Sequence, residues 1–314
     1  MPLDLLVVTA LSRRHQARIA EAGFNVHMAE DAERRASVIA EYGERIRAVL
    51  TIGTIGFSAE EMDALPRLGL ICAQGVGHEN IDLAAARARD IHVTHGPGTN
   101  AETVADHTFA LMLASLRRIR EGDAGLRAGE WQAIRRSAPN LHGATLGLLG
   151  MGAIARAIAH RAHYGFSMPV VYYSRSPKTE LPWRHERDPL AVAQQADVLV
   201  AALPGGADTR HLVDARMLAA LGERGTFINV GRGSVVESEA LITALREKRI
   251  AGAGLDVFES EPEIPAAMKT LERLVMTPHT AGLSPQALDA TIERVVDNLK
   301  AFDEGREMVT PVRG

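Results

Sequence analysis

Three short segments in the second half of the chain carry polar side chains in an order that suits proton and hydride chemistry. Arg232 lies in the glycine-rich segment 229–233, and Glu261 precedes a proline in the acidic segment 254–262. His279 follows a Thr-Pro pair further along the chain. An arginine holds a carboxylate with two parallel hydrogen bonds, a histidine transfers a proton near neutral pH, and an adjacent acid keeps that histidine protonated. Reduction of a 2-keto acid by a nicotinamide needs these three groups.

A glycine-rich segment upstream has the spacing of a dinucleotide-binding fingerprint. In residues 146–155, Gly150 suits a tight turn, Gly152 suits close approach of the backbone to a pyrophosphate, and Ala155 suits close packing of a helix on a strand. The alternative is a turn that merely needs small residues, but an apolar run precedes the motif and a helical pattern follows it. Because the amides of a helix N-terminus bind phosphates, we predict dinucleotide contacts from Gly150, Met151, Gly152, Ala153 and Ile154.

The end of the next predicted strand indicates which nicotinamide is bound. An NAD site usually has an Asp or Glu about 20 residues after the glycines, to bind the ribose 2′-hydroxyl. Ser174, Arg175 and Ser176 occupy this stretch here, with Lys178 close by. A carboxylate would repel a 2′-phosphate, whereas a guanidinium binds it with two hydrogen bonds. We therefore predict NADP (NADPH) as the cofactor, with NAD possible; the alternative is that Arg175 and Lys178 are ordinary surface charges.

Short apolar runs alternate with helical patterns along most of the chain, which predicts βαβ units and parallel sheets. Five runs lie between residues 5 and 94. Six more lie between residues 145 and 276, the number expected for a complete dinucleotide-binding sheet. Asn100 ends a turn-rich segment between the two series and is a candidate N-cap for a long helix over 101–118. The amphipathic stretch 285–303 is predicted to be one helix that packs on the first domain.

Composition excludes several classes of protein. The 314 residues suffice for two domains, and 35 Lys and Arg against 39 Asp and Glu give a net charge of −4 without a long run of one sign. Cys72 is the only cysteine, so an internal disulfide is impossible, and no metal site is expected. The N-terminus lacks the basic region of a signal peptide, and no stretch approaches the ~18 apolar residues of a membrane helix. We expect a soluble cytoplasmic protein with neither nucleic-acid nor membrane partners.

These motifs together resemble the D-isomer-specific 2-hydroxyacid dehydrogenase family, and most closely its glyoxylate/hydroxypyruvate reductase branch. The resemblance covers nearly the whole chain and includes the loop 75–77, the hinge segment 93–107, the fingerprint, and Leu203-Pro204 with Thr209. It implies an α/β fold of two Rossmann-like parallel-sheet domains with the active site in the cleft.

The resemblance also implies domain boundaries. A flavodoxin-like substrate (catalytic) domain would comprise residues 1–97 and 284–314. An NAD(P)-binding Rossmann domain would comprise residues 98–283. The chain would then cross from one domain to the other twice.

The family further implies a role for each matched residue. Arg232 would bind the substrate carboxylate and 2-keto oxygen, His279 would protonate the carbonyl as hydride arrives, and Glu261 would pair with this histidine. Asp256 would orient the nicotinamide carboxamide. Glu259 is a rival for the acid role and is expected to face solvent. The implied substrate contacts are Val76, Gly77, Arg232 and His279, and the further implied cofactor contacts are Leu203, Pro204, Thr209, Val230, Gly231, Asp256 and Ala281.

The implied reaction is NADPH-dependent reduction of a small 2-keto acid, such as glyoxylate or hydroxypyruvate, to the D-2-hydroxy acid, carried out by a homodimer. His78 departs from the commoner family pattern and leaves the identity of the keto acid open. Two alternatives also stay open. One is a short-type D-3-phosphoglycerate dehydrogenase that uses NAD, and the other is a nucleotide-sensing, corepressor-like binding protein.

Overall fold

The computed structural model describes residues 2–312, and the chain folds as two compact units. The first unit runs to Asn100 and resumes at Ser284, and the second is Ala101–Leu283. Each unit is built on one sheet in which every strand pair is parallel, five-stranded in the first unit and seven-stranded in the second. The predicted α/β fold class with two parallel sheets is therefore confirmed.

The sheet of the first unit has the strand order β2-β1-β3-β4-β5, which is the flavodoxin-like order. Side chains alternate along β1, so that Leu3 and Leu5 face one core while Leu6 faces another. The strands are β1 (Leu3–Val7), β2 (Phe24–Met28), β3 (Ile46–Thr51), β4 (Leu70–Ala73) and β5 (His92–Thr94).

Five helices cover the two faces of this sheet. They are α1 (Arg13–Glu21), α2 (Ala32–Tyr42), α3 (Ala59–Asp63), α4 (Leu83–Ala88) and, from the end of the chain, α12 (Pro285–Asp303). Each begins after a Ser or Asp whose side chain accepts a hydrogen bond from a backbone N–H of the first turn, which satisfies one orphan donor. The apolar face of α12 packs in the same core as Leu3 and Leu5.

The sheet of the second unit has the order β12-β11-β10-β9-β6-β7-β8. From β8 to β11 this is the 3-2-1-4-5-6 order of dinucleotide-binding sheets, with β12 added at one edge. The strands are β6 (Leu146–Leu149), β7 (Val170–Tyr173), β8 (Arg184–Glu186), β9 (Val198–Ala201), β10 (Thr226–Asn229), β11 (Gly252–Leu255) and β12 (Leu274–Met276).

Seven α-helices accompany this sheet in the described chain. They are α5 (Ala101–Leu116), α6 (Ile119–Arg127), α7 (Trp131–Ile134), α8 (Ala153–Phe166), α9 (Pro189–Gln195), α10 (Ala215–Leu221) and α11 (Ser238–Arg246). None of the helices within residues 2–312 combines the length and the apolar character that crossing a bilayer requires.

Three details differ from the sequence-based expectations. The second sheet has seven strands and not six, because β8 is a three-residue edge strand, Arg-His-Glu, without an apolar run. The helix that begins at Ala101 ends at Leu116 and not at residue 118, since Arg118 adopts φ 52° and starts a new helix. The oxygen of the Asn100 side chain has no hydrogen-bond partner among residues 2–312, so Asn100 is not the predicted N-cap.

Candidate active site

Arg232 is held by a turn that begins where β10 ends. The buried side chain of Asn229 accepts a hydrogen bond from the N–H of Gly231 (3.0 Å) and donates one to the carbonyl of Arg232 (2.9 Å). A Cβ on Gly231 would lie 2.5 Å from the carbonyl oxygen of Leu203, so only glycine allows this loop to approach the loop that follows β9. Asn229 was not among the predicted site residues, although its position at a strand end beside a glycine pattern was visible in the sequence.

His279 and Glu261 form a hydrogen-bonded pair. The Nδ1 atom of His279 lies 2.7 Å from Oε2 of Glu261, and Oε1 of Glu261 accepts the backbone N–H of Phe258 at 2.7 Å. Both carboxylate oxygens are thereby oriented, and the proton on Nδ1 is assigned to this bond. The other ring nitrogen, Nε2, is the one that can exchange a proton with a ligand.

The pair shifts the titration of both groups. The hydrogen bond that His279 donates to Glu261 raises the pKa of His279 above its ordinary value of 6.5, while burial and the positive charge of Arg232 oppose the rise. Burial alone would raise the pKa of Glu261, but the hydrogen bonds from His279 and Phe258 outweigh it and lower that pKa. A protonated His279 beside an ionised Glu261 is therefore favoured near neutral pH, and the charge of Arg232 acts on both.

Asp256 organises the loop that carries His279. Its carboxylate is buried at the end of β11 and accepts the Thr277 hydroxyl (2.6 Å) and the backbone N–H groups of Thr280 and Ala281 (both 2.9 Å). The backbone N–H of His279 donates to the Asp256 carbonyl at 2.8 Å, and His279 adopts φ 52°. These bonds fix an otherwise unfavourable left-handed backbone.

A second histidine supports the same loop from α5. Nε2 of His107 lies 2.9 Å from the hydroxyl oxygen of Thr277 and 3.5 Å from Oδ1 of Asp256. Because the hydroxyl proton of Thr277 is given to Asp256, His107 donates to Thr277. His107 was not predicted as a site residue; no local pattern links it to a loop 170 positions away.

The fingerprint has the backbone features that a pyrophosphate requires. Gly150 adopts φ 103°, and a Cβ there would lie 2.8 Å from the carbonyl oxygen of Ala202. Gly152 caps α8 in an extended conformation, and the position of its missing Cβ is open. Ala155 is fully buried. The first N–H groups of α8 therefore face accessible space beside a glycine, an arrangement that fits a phosphate group.

The loop after β7 contains no acid before Glu180, and that glutamate forms an ion pair with Arg156 of α8 at 2.7 Å. The Ser174 hydroxyl donates to the carbonyl of Ser176 at 2.7 Å, which turns the chain so that Arg175 is exposed at the tip. These contacts leave cationic and hydroxyl groups, and no carboxylate, at residues 174–176.

The loop after β9 is tied to the loops that follow β10 and β11. The Thr209 hydroxyl donates to the carbonyl of Pro204 at 2.8 Å. Glu259 accepts from Arg210 (3.0 Å) and pairs with His211 (2.6 Å) through one oxygen, and it accepts the Ser238 hydroxyl through the other (3.2 Å). Glu259 is exposed, as expected, and its carboxylate also joins its own segment to the loop after β9 and to Ser238.

The remaining predicted contacts lie at the carboxyl edges of the two sheets. In the second unit, Val230 follows β10 and is buried, as is Ala281 beyond β12. In the first unit, the loop 75–77 follows β4; Gly75 adopts φ 96°, and a Cβ on Gly53 would lie 2.6 Å from the carbonyl carbon of Gly77. Val76 and Gly77 are half-buried there.

Known proteins are similar in sequence to this chain over most of its length. Residues 109–281 match the family model of the NAD binding domain of D-isomer specific 2-hydroxyacid dehydrogenases. The chain is 37% identical over 293 residues to a glyoxylate/hydroxypyruvate reductase of Arabidopsis thaliana, with 93% of both chains covered. It is 38% identical over 312 residues to a 2-ketogluconate reductase of Gluconobacter oxydans, with 98% of both covered.

A solved structure of a reductase is also similar to this chain over nearly its whole length. The NADPH-dependent glyoxylate/hydroxypyruvate reductase of Sinorhizobium meliloti, in complex with NADP and malonate, superposes with a TM-score of 0.90 at 36% identity. The alignment covers 99% of this chain and 97% of the other.

Proposed function

Because the chain belongs to the D-isomer-specific 2-hydroxyacid dehydrogenase family, we propose that it reduces a small 2-keto acid to the D-2-hydroxy acid with NADPH, and that glyoxylate and hydroxypyruvate are its substrates. The observation that carries the proposal is the hydrogen-bonded pair of Glu261 and His279, which also experiences the positive charge of Arg232. An anion-binding group and a proton donor of raised pKa are what reduction of a keto acid demands. The glyoxylate/hydroxypyruvate reductases among the relatives support the choice of substrate.

Arg232, His279 and Glu261 each have a distinct task in this proposal. Arg232 binds the carboxylate and the keto oxygen of the substrate, since its planar guanidinium offers several donors at once. His279 donates the proton on Nε2 to the oxygen of the carbonyl. Glu261 holds the ring and stabilises the imidazolium until transfer. The backbone N–H groups of Val76 and Gly77 bind the carboxylate of the substrate.

The second unit holds the cofactor, which supplies the hydride when bound. We assign the pyrophosphate to the first turn of α8, because Gly152 leaves open space beside unsatisfied amides. We assign the nicotinamide end to the loops that follow β9, β10, β11 and β12. The contacts in this proposal are Gly150, Met151, Gly152, Ala153, Ile154, Leu203, Pro204, Thr209, Val230, Gly231, Asp256 and Ala281.

The preference for NADPH over NADH is assigned to Ser174, Arg175 and Ser176. Arg175→Ala is expected to weaken NADPH binding by ~10–100-fold and NADH binding by no more than about twofold, because a hydrogen bond to a charged group contributes about 1.5–3 kcal/mol. Arg216→Ala, which removes an exposed arginine from α10, is the matched control. Fluorescence titration with both nucleotides measures the effect, and equal losses for NADPH and NADH would remove the assignment.

The reaction is tested by initial rates of NADPH and NADH oxidation with glyoxylate, hydroxypyruvate, pyruvate and phosphohydroxypyruvate. Fast NADPH-dependent turnover of glyoxylate or hydroxypyruvate is expected. Preference for phosphohydroxypyruvate with NADH would instead indicate a short-type phosphoglycerate dehydrogenase. Nucleotide binding without turnover of any of the four acids would indicate a nucleotide-sensing binding protein.

We also propose that the protein is a homodimer in the cytoplasm. Ile119, Leu126 and Trp131 are large apolar side chains exposed on α6 and α7, and their burial by a second chain would stabilise a dimer. The single cysteine, Cys72, is buried, and burial raises its pKa to about 12, which suits a protein that does not depend on disulfides. Sedimentation equilibrium at micromolar concentration tests the dimer, and a monomer would refute it.

A further inference from the structure

Two histidines lie together on the loop 75–77 of the first unit. Nδ1 of His78 and Nδ1 of His95 are each 3.2 Å from the carbonyl oxygen of Val76, and their rings meet edge to face with centroids 5.4 Å apart. Both rings are half-buried. His78 directly follows this loop, whereas His95 follows β5, so the arrangement exists only in the folded unit.

The shared carbonyl determines which ring nitrogens carry protons. A carbonyl oxygen has two lone pairs and no proton, so it is stabilised only by a nitrogen that donates. Each neutral ring must therefore carry its proton on Nδ1, and each Nε2 must present a lone pair. Burial lowers the pKa of His95 and outweighs the hydrogen bond to the Val76 carbonyl, which raises it, so the neutral form of that ring is favoured. Two hydrogen-bond acceptors thus flank the loop.

The position of His95 is fixed by the last segment of the chain. The His95 backbone N–H donates to the carbonyl of Thr310 at 3.1 Å, and the Thr310 hydroxyl donates to the carbonyl of His95 at 2.6 Å. Thr310 is in turn held by Asn298 of α12, which binds its N–H and its hydroxyl. The backbone of His95 is thus fixed by Thr310 and its ring by the Val76 carbonyl, which suits a directional hydrogen bond from the ring.

We propose that Nε2 of His78 and Nε2 of His95 share the single proton of a substrate hydroxyl group in a three-centre hydrogen bond, so that the enzyme selects 2-keto acids with a hydroxyl on the carbon beside the keto group. This inference rests on the proposed function, which places the substrate carboxylate on Val76 and Gly77. A neutral acceptor nitrogen stabilises a hydroxyl, gains nothing from a methyl group and repels a carboxylate. Hydroxypyruvate is therefore preferred to pyruvate, which differs from it only in this hydroxyl.

The test separates holding the loop from binding the hydroxyl. His78→Asn keeps a donor near the position of Nδ1 but has no atom at the position of Nε2, whereas His78→Gln places an acceptor near Nε2. The ratio of kcat/KM for hydroxypyruvate to that for pyruvate is expected to fall about tenfold in His78→Asn and in His95→Asn. It is expected to stay within about threefold of wild type in His78→Gln.

Glyoxylate and an unrelated histidine provide the controls. Glyoxylate has no third carbon, so its kcat/KM should change by no more than about twofold in the two Asn variants, which keep a donor to the Val76 carbonyl. His92→Asn alters an exposed histidine of the same unit and should leave all three rates unchanged.

The possible failures are distinguishable. Wild-type ratios in both Asn variants, or a parallel loss with glyoxylate, would overturn the role of the histidines while leaving the proposed function intact. Failure of the wild-type protein to reduce any of the three acids would overturn the proposed function itself.

Discussion

His279 needs two separate supports to act as a proton donor. Its ring is oriented by Glu261, whose other oxygen is anchored to the backbone of Phe258, and its backbone is held by Asp256. The Glu261 anion stabilises the imidazolium, so the pKa of His279 rises. The proton is then present near neutral pH on the nitrogen that faces away from Glu261.

The pH dependence of reduction follows from this pair. The rate of keto-acid reduction is expected to fall as the pH rises through the raised pKa of His279, because the neutral ring has no proton to give. Glu261→Gln removes the anion that raises the pKa, so this alkaline limb should move to lower pH. The profile of kcat/KM against pH measures this shift of the alkaline limb.

His279→Ala is expected to lower kcat by ~10²–10⁴-fold while NADPH still binds.

Glu259→Gln is the matched control for the pH profile. It removes a carboxylate two residues from Glu261, but this carboxylate pairs with His211 and Arg210. The alkaline limb of Glu259→Gln should therefore coincide with that of wild type. Coincidence of the Glu261→Gln limb with wild type would mean that Glu261 does not set the pKa of the proton donor.

The loops after β9, β10 and β11 interlock through glycines. Gly231 lies against the backbone of Leu203, and a Cβ on Gly233 would overlap the carbonyl group of Phe258. Arg232 stands between these two contacts. Its backbone is therefore confined by the loop of the predicted cofactor contacts on one side and by the segment that leads to Glu261 on the other.

Gly233→Ala tests this interlocking. The added methyl group meets backbone atoms that cannot rotate away, so the loops of Arg232 and Glu261 must separate. We expect a loss of about 1–3 kcal/mol in the free energy of unfolding and a fall of at least tenfold in kcat/KM. Urea unfolding and steady-state kinetics measure the two effects.

Gly165→Ala provides the comparison for that substitution. Gly165 lies in α8, and the position of its missing Cβ has no neighbour within 4 Å. Alanine favours the helix by roughly 0.5–1 kcal/mol relative to glycine, so this variant should be at least as stable as wild type. Equal kcat/KM in Gly233→Ala and Gly165→Ala would show that the close approach at Gly233 is not needed.

At the scale of the whole chain, each unit has its own buried cores, and the first unit is completed only by the end of the sequence. Leu299 of α12 is fully buried among Leu5, Leu50 and Leu70. The second unit is one continuous stretch of chain, whereas the first consists of two stretches. The core of the first unit is therefore complete only when α12 has packed against the strands of the N-terminal stretch.

Leu299→Ala tests the independence of the two cores. The substitution is expected to destabilise the first unit by ~2–5 kcal/mol, because it leaves a cavity under the sheet. NADPH affinity, assigned to the second unit, should change by no more than about twofold. Hydrogen exchange of β1 and β6 amides separates the two responses, and faster exchange in both strands would contradict the prediction.

Lys300→Ala is the surface control for Leu299→Ala. Lys300 is the next residue of α12 and is exposed. Its substitution is expected to alter stability by less than about 0.5 kcal/mol.

The amino-acid sequence by itself determined the α/β class, the fingerprint of the second unit and the types and order of the arginine, acid and histidine. These features are local: apolar runs of strand length, helical periodicity and glycines at fixed offsets reflect backbone constraints within a few residues. The same reasoning missed β8, since a polar three-residue edge strand has no periodicity to detect.

Only the tertiary structure decided which polar groups meet. The resemblance had already implied the pair of Glu261 and His279, which the structure shows. The structure alone paired Glu259 with His211, placed the carboxylate of Asp256 against the loop that carries His279, and brought His78 and His95 to one carbonyl. These contacts join segments that follow different strands. Parallel strands place their carboxyl ends at one edge of a sheet, and loop lengths and close approaches there, which no local pattern encodes, select the partners.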